Sequence, residues 1–250
     1  VRPDAIAISA IAALAVALSA CGGAAREPEA QPGPPVIGLV TSLPIVWNES
    51  QDIVGMLADD APPHWALGVL RAAGELRPLD TLADEQGRLP LPKGALLVLA
   101  QPYPLPPQDN VALDAWVKGG GRVLLFADPM LTFESDYALG DRRRPQDIAL
   151  LSPILTRWGI ELRFDDEQES GEHLVGLEGM QLPVNLPGSF AIGDDRGNCS
   201  LGAGGLAANC RIGAGQVLAI ADAALLEVRE DGPDGARAMV FKALVARALD

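Results

Sequence analysis

Three polar residues stand where buried strands are expected to end: Gln101 after the apolar run Ala95–Ala100, Asp128 after Arg122–Ala127, and Asp222 closing Gly215–Asp222. Open α/β sheets bind ligands in the crevice outside the carboxyl ends of their strands. Gln101, Asp128 and Asp222 are therefore the candidate ligand-binding residues, suited to a cation or a small polar molecule. The competing reading is that each aspartate caps the turn that follows it, as short carboxylates routinely do. Residue type alone favours the cap.

Covalent catalysis on such a sheet needs a nucleophile on a sharp strand-to-helix elbow, with a base beside it. The strand ending at Ala100 runs instead into Gln101-Pro102-Tyr103, and no G-x-S-x-G or G-x-C-x-G occurs. His64 sits at a proline-flanked helix start and His173 in an acidic turn, neither near a nucleophile in sequence. No catalytic residue is assigned, and the expectation is that the chain is not an enzyme. Asp165, Asp166, Glu167 and Glu169 lack the glycine and closing glutamate of a calcium loop, so no metal site is expected. Without G-x-x-x-x-G-K-[ST] the chain does not bind ATP in the Walker manner. No cofactor is expected.

The elements that must position these residues centre on Ala95–Pro129. Its two apolar runs read as parallel strands covered on both faces. Between them Val111, Leu113, Trp116 and Val117 give a helix one apolar side, with Asp109 or Asn110 as its cap and Gly119–Gly121 as its left-handed stop. That is a β-α-β unit. Val36–Val40 and Glu75–Leu79 add strands, and Trp47 and Asn48 sit on the loop after the first. Gln51–Ala58 and Pro62–Ala73 read as helices. Ser152-Pro153 gives an N-cap and a first-turn proline to a helix stopped by Gly159, and Ile160–Phe164 follows as a strand. Ala238–Leu249 closes the chain as an amphipathic helix. The long loop after Pro129 ends in Arg142, Arg143 and Arg144, a triplet suited to lipid head groups or an acidic patch, though more often simply solvated.

At 250 residues and 48% hydrophobic, the chain has ample material for a core. Its 19 basic and 33 acidic residues give a net charge of −14, which repels phosphate backbones and argues against a nucleic-acid partner. Ala5–Ala20 is too short for a membrane span but right for a signal h-region. It runs into Leu18-Ser19-Ala20-Cys21-Gly22-Gly23, which looks like a bacterial lipoprotein box. Residues 1–20 are thus expected to be a lipoprotein signal peptide, with lipidation at Cys21. Residues 21–35, rich in Pro, Glu and Ala, read as a disordered tether. Residues 36–250 read as a single α/β domain with a β-rich insertion at about 170–214. Cys199 and Cys210, an even pair in an exported chain, read as a disulfide. Metal ligation or a reactive thiol fits less well, with two histidines and no Cys-x-x-Cys.

The wording L-V-L-A-x-P, then L-D-x-W-V-x-x-G-G-R-V-L-L-F-x-D-P, resembles the GldG-like family. Its members are the extracytoplasmic parts of auxiliary proteins of uncharacterised, gliding-motility-type ABC transporters. R-W-G-I-E-L-x-x-D and G-Q-V-L-A-I-A-D-A-A-L-L are similar to later elements of the same family. The resemblance spans roughly Val36–Asp165 and Gly215–Asp250. It implies a mostly parallel sheet flanked by helices, class I glutamine amidotransferase-like or flavodoxin-like, here with a small glycine-rich β extension. It also implies a non-catalytic lipoprotein domain serving an ABC transport or envelope system. Its partners would be the membrane, through the lipid, and an ABC transporter or envelope protein. The location would be the periplasmic side of a bacterial membrane, with Gly22 after the cysteine resembling outer-membrane lipoproteins. The alternatives are a stand-alone periplasmic solute-binding module and a hydrolase with an unrecognised site.

Overall fold

Val36–Thr41 (β1), Leu96–Ala100 (β3), Arg122–Phe126 (β4) and Gly215–Ile220 (β11) are short runs of Val, Ile, Leu, Ala and Phe with little polar alternation. Such runs suit strands buried on both faces. In the computed structural model they lie side by side and parallel, and Glu75–Pro78 (β2) pairs parallel with β1. The structure describes residues 33–47, 63–193, 198–228 and 235–250. The signal peptide, Cys21, Asn48 and the expected helix Gln51–Ala58 lie outside the described residues.

The main sheet has seven strands in the order β2-β1-β3-β4-β11-β10-β9, where Asn198–Gly202 is β9 and Ala207–Ile212 is β10. The last two are antiparallel. The chain is a mixed α/β protein with a mostly parallel central sheet flanked by helices. The stretch read as one insertion at 170–214 serves three sheets instead. Ile160–Arg163 (β5) pairs with Ser189–Ile192 (β8), and His173–Leu177 (β6) forms a hairpin with Met180–Val184 (β7). The third part, β9–β10, widens the main sheet. The disulfide Cys199–Cys210 links directly opposed residues of that pair.

Four helices are described: α1 (Trp65–Ala73), α2 (Pro107–Lys118), α3 (Ser152–Arg157) and α4 (Gly235–Leu249). α2 buries Ala112, Leu113 and Val117, while α4 buries Phe241, Leu244, Val245 and Ala248. Two expected caps differ. α2 starts at Pro107 with no side-chain cap. Asp109 reaches away instead, accepting from the N–H groups of Leu82 and Ala83 at 3.1 Å each. Asn110 donates to Leu105 O. α3 is preceded by Leu151, so Ser152 lies inside the helix. A proline in the first turn needs no donor satisfied there, which frees polar neighbours for longer-range bonds. The glycine stop of α2 does form: Gly120 has φ 110°. At Gly121 a Cβ would run into the Trp116 ring, so the indole packs over bare backbone.

The loop after Pro129 has no regular structure but is tied down. Leu131 N–H donates to Asp147 O and Tyr137 is buried. Arg143 pairs with Asp141 and lies 4.3 Å from the Tyr137 ring centroid. Arg144 pairs with Asp147. Two of the three arginines thus hold their own loop together.

Candidate functional site

β3, β4 and β11 run parallel with their carboxyl ends together, so Gln101, Asp128 and Asp222 meet at one edge of the core. All three are buried, at 0%, 0% and 1% exposure. Gln101 joins two strand ends. Its Oε1 accepts from Asp128 N–H at 2.8 Å, and its Nε2 donates to Asp128 O at 3.0 Å and Gln146 O at 2.8 Å. Its backbone is left-handed, φ 47°, a conformation that costs a non-glycine residue about 1–2 kcal/mol. The chain turns sharply at the position where a nucleophile would stand, but the glutamine side chain is wholly engaged with the backbone.

Each aspartate bonds to its own turn and to another element. Asp128 Oδ1 accepts from Met130 N–H at 2.8 Å, and Oδ2 from Ala223 N–H at 3.0 Å. Asp222 Oδ1 accepts from Ala224 N–H at 2.7 Å, and Oδ2 from Asn185 N–H at 3.0 Å. Both aspartates therefore make the turn bond, and each also fastens a second segment.

Their partners are neutral N–H groups, and among the described residues no cation pairs with them. Burial therefore dominates: it pushes Asp128 up to about 7, held back by the bonds from Met130 and Ala223 and raised further by the Glu227 carboxylate. Burial, and then the charge of Asp128, push Asp222 well above the carboxylate range. The charge of Asp128 thus adds to burial in favouring the protonated form of Asp222.

Several neighbours carry no local signal in the sequence. Ser42, just after β1, donates to Gln101 O and accepts from Gln146 N–H at 2.9 Å. Glu227 accepts from Thr132 Oγ1 at 2.9 Å. His64 caps α1: its Nδ1 accepts from Ala66 N–H at 3.1 Å, so the proton is on Nε2, which donates to Leu226 O at 2.9 Å. That brings the histidine against the loop carrying Asp222 and Glu227, across 162 residues of sequence. His173 is exposed, on β6. Trp47 is 39% exposed. Among the described residues, no three His, Cys, Asp or Glu side chains are placed to hold a metal ion.

A cavity of about 320 Å³ opens one residue beyond Asp128, lined by Pro129, Ser152, Thr156, Glu161 and Arg163 among others. Neither carboxylate lines it.

No family model matches the chain, and no curated protein matches it. Among solved structures it is similar to an exo-β-1,4-mannosidase from Opitutaceae bacterium strain TAV5, at 14% identity and TM-score 0.49, over 87% of this chain and 36% of that one. It is also similar to the GH42 β-galactosidase Gan42B, at 13% identity and TM-score 0.46, over 87% and 30%. A cytoplasmic protein of Salmonella typhimurium follows at 11% and 0.41, over 84% and 97%. The chain spans about a third of the length of the two glycosidases. None of these three is named as a GldG-like or glutamine amidotransferase-like protein. The expectation of a non-catalytic ABC-transport or envelope auxiliary domain, and of a chain that is not an enzyme, is contradicted by the glycosidase neighbours and is withdrawn. Its ground was the lack of a nucleophile at the strand-end elbow and of a histidine near one. The aspartates do make the expected turn bonds, and each also fastens a second segment.

Proposed function

We propose that the carboxyl end of the sheet is a hydrolytic acid–base centre, in which the Asp128–Asp222 pair retains a proton near neutral pH. The observation that carries this is the placement of two buried carboxyls at the ends of adjacent parallel strands, each bonded by backbone N–H groups, where burial favours the protonated form of both. Paired carboxyls with displaced pKa values are how one site supplies both an acid and a base. The protonated member would protonate a leaving group while the ionised one takes a proton from water. Gln101 is a positioning residue, fixing the backbone of Asp128 from both sides. Because the pair is covered, the Asp128–Met130 turn must open towards the neighbouring cavity for a substrate to reach it.

The test is turnover of nitrophenyl glycosides and esters by the full chain, with Asp128→Asn and Asp222→Asn as variants. The names of the neighbouring structures guide the choice of glycosides. Asparagine keeps an oxygen for one N–H bond, so the fold survives while the proton function is lost. Turnover with a bell-shaped pH profile, abolished in both variants with circular dichroism unchanged, supports the centre. No turnover, or turnover that survives Asp128→Asn, removes it.

The finer fold and the location belong to the same proposal. The five parallel strands run β2-β1-β3-β4-β11, which with β11 counted fifth is the flavodoxin-like order. That order and the β3-α2-β4 wording support the class I glutamine amidotransferase-like, GldG-like reading. The lipoprotein box supports an exported chain held on a membrane through Cys21. Labelled palmitate incorporated into the wild type but not into Cys21→Ser checks the anchor.

A further inference from the structure

The amino end of the same sheet holds the opposite chemistry. Lys118 ends α2, Arg157 ends α3, and Arg211 lies near the end of β10, opposite the start of β11. With Ile212 and Gly213 they line a cavity of about 250 Å³ with no acidic residue among the described residues of its wall. On a chain of net charge −14, three converging cations are the exception. Behind them lies one carboxylate. Asp114, 4% exposed, takes Lys118 Nζ at 2.9 Å and Arg157 Nε at 2.5 Å, both on Oδ2. Cations at helix C-termini complement the helix dipole, which accounts for Lys118 and Arg157 in part. Arg211 is on a strand and makes no ion pair among the described residues.

We propose that this cleft binds a phosphate-type oxyanion. Asp114 holds Arg157 by its Nε, which fixes the guanidinium plane and leaves the terminal nitrogens for the fork that suits a phosphate. Three cations against one carboxylate leave two positive charges, which match a dianion. The cleft is half-exposed, with Lys118 at 48% and Arg157 at 58%, so it takes a small anion from solution or a headgroup presented by a membrane. It lies at the end of the sheet opposite Asp128 and Asp222 and does not depend on their role.

The experiment titrates the full chain with inorganic phosphate, following the arginine Nε–H resonances, with chloride at matched ionic strength as control. A second arm measures co-sedimentation with phosphatidylcholine vesicles, with and without phosphatidylglycerol. Arg211→Gln is the variant, because it leaves no buried partner behind and spares the fold. Saturable shifts at Arg157 and Arg211 with phosphate, weakened about fivefold or more in Arg211→Gln, support a free phosphate ligand. Extra sedimentation that requires phosphatidylglycerol and is lost in Arg211→Gln supports a headgroup. A failure of both arms, or binding as tight in Arg211→Gln as in the wild type, overturns the proposal.

Discussion

Asp114 at one end of the sheet and Asp128 at the other are both buried, yet they titrate in opposite directions. Burial alone would raise Asp114, but hydrogen bonds and charges from Lys118 and Arg157 outweigh it and hold the carboxyl low. Asp128 receives two backbone N–H bonds and faces Asp222 and Glu227, so burial prevails and the carboxyl rises to about 7. Asp114 sits in a shallower setting between two cations and Asp128 in a deeper one among neutral donors and carboxylates, so depth and the charge of the partner act together. One end of the sheet thus gathers positive charge, and the other holds carboxyls whose protonated form burial favours.

Removing the acceptors at the proton-holding end is the largest expected effect. Asp128→Ala strands the N–H groups of Met130 and Ala223 and should cost about 2–4 kcal/mol in urea unfolding at pH 6. Asp128→Asn, which keeps one acceptor, should cost clearly less. Equal losses would mean that shape rather than bonding holds this turn.

The pH dependence comes next. A carboxyl whose folded pKa lies above its unfolded value keeps a proton that the unfolded chain has already lost. Stability should therefore fall as pH rises from about 4 through about 7, and Asp222 extends the fall upward. Asp114 is lowered, so its contribution is present above the usual aspartate range and is lost only in acid. Unfolding at pH 5 and pH 8 isolates the pair, and Asp128→Asn should flatten the difference. A wild-type curve that rises over this window contradicts the assignment.

The disulfide separates the two ends. Replacing Cys199 and Cys210 with alanine removes a short loop closure, about 2–3 kcal/mol on the chain-entropy model. It loosens the edge that carries Arg211 while leaving the pH dependence of the carboxylate end as it was. A changed pH profile would show that the ends are coupled through the sheet. The smallest effect is Arg157→Met, which leaves Asp114 with Lys118 alone. It should cost about 1 kcal/mol, because both cations are half-exposed, and should raise the titration of Asp114.

The strands that build both ends were legible, because a run such as LLVLA or GQVLAIA is buried on both faces and shows it locally. The disulfide was legible from the cysteine count and the expectation of an exported chain. The pairing of β9 and β10 onto the main sheet was not, because edge strands with mixed polarity look like any glycine-rich extension. The site was half legible: chain order puts Gln101, Asp128 and Asp222 at strand ends. Nothing local announces that Ser42 meets Gln101 or that His64 reaches Leu226, since these bonds span 59 and 162 residues. Nor does sequence separate a solvated cap from a buried one, which is why the cap and ligand-binding readings of the aspartates stood side by side. Asp109 shows the same blindness: a carboxylate in a first helical turn reads as a cap, and tertiary partners claimed it instead.

The most direct measurement is a carbon-13 NMR titration of selectively labelled aspartate carboxyls, assigned through Asp114→Asn, Asp128→Asn and Asp222→Asn. The structure predicts that Asp128 titrates at about 7, with Asp222 above the carboxylate range and Asp114 below it. Asp128 titrating near the ordinary aspartate value of 3.8 would mean that the pair carries no proton at neutral pH, and the acid–base centre would fall with it.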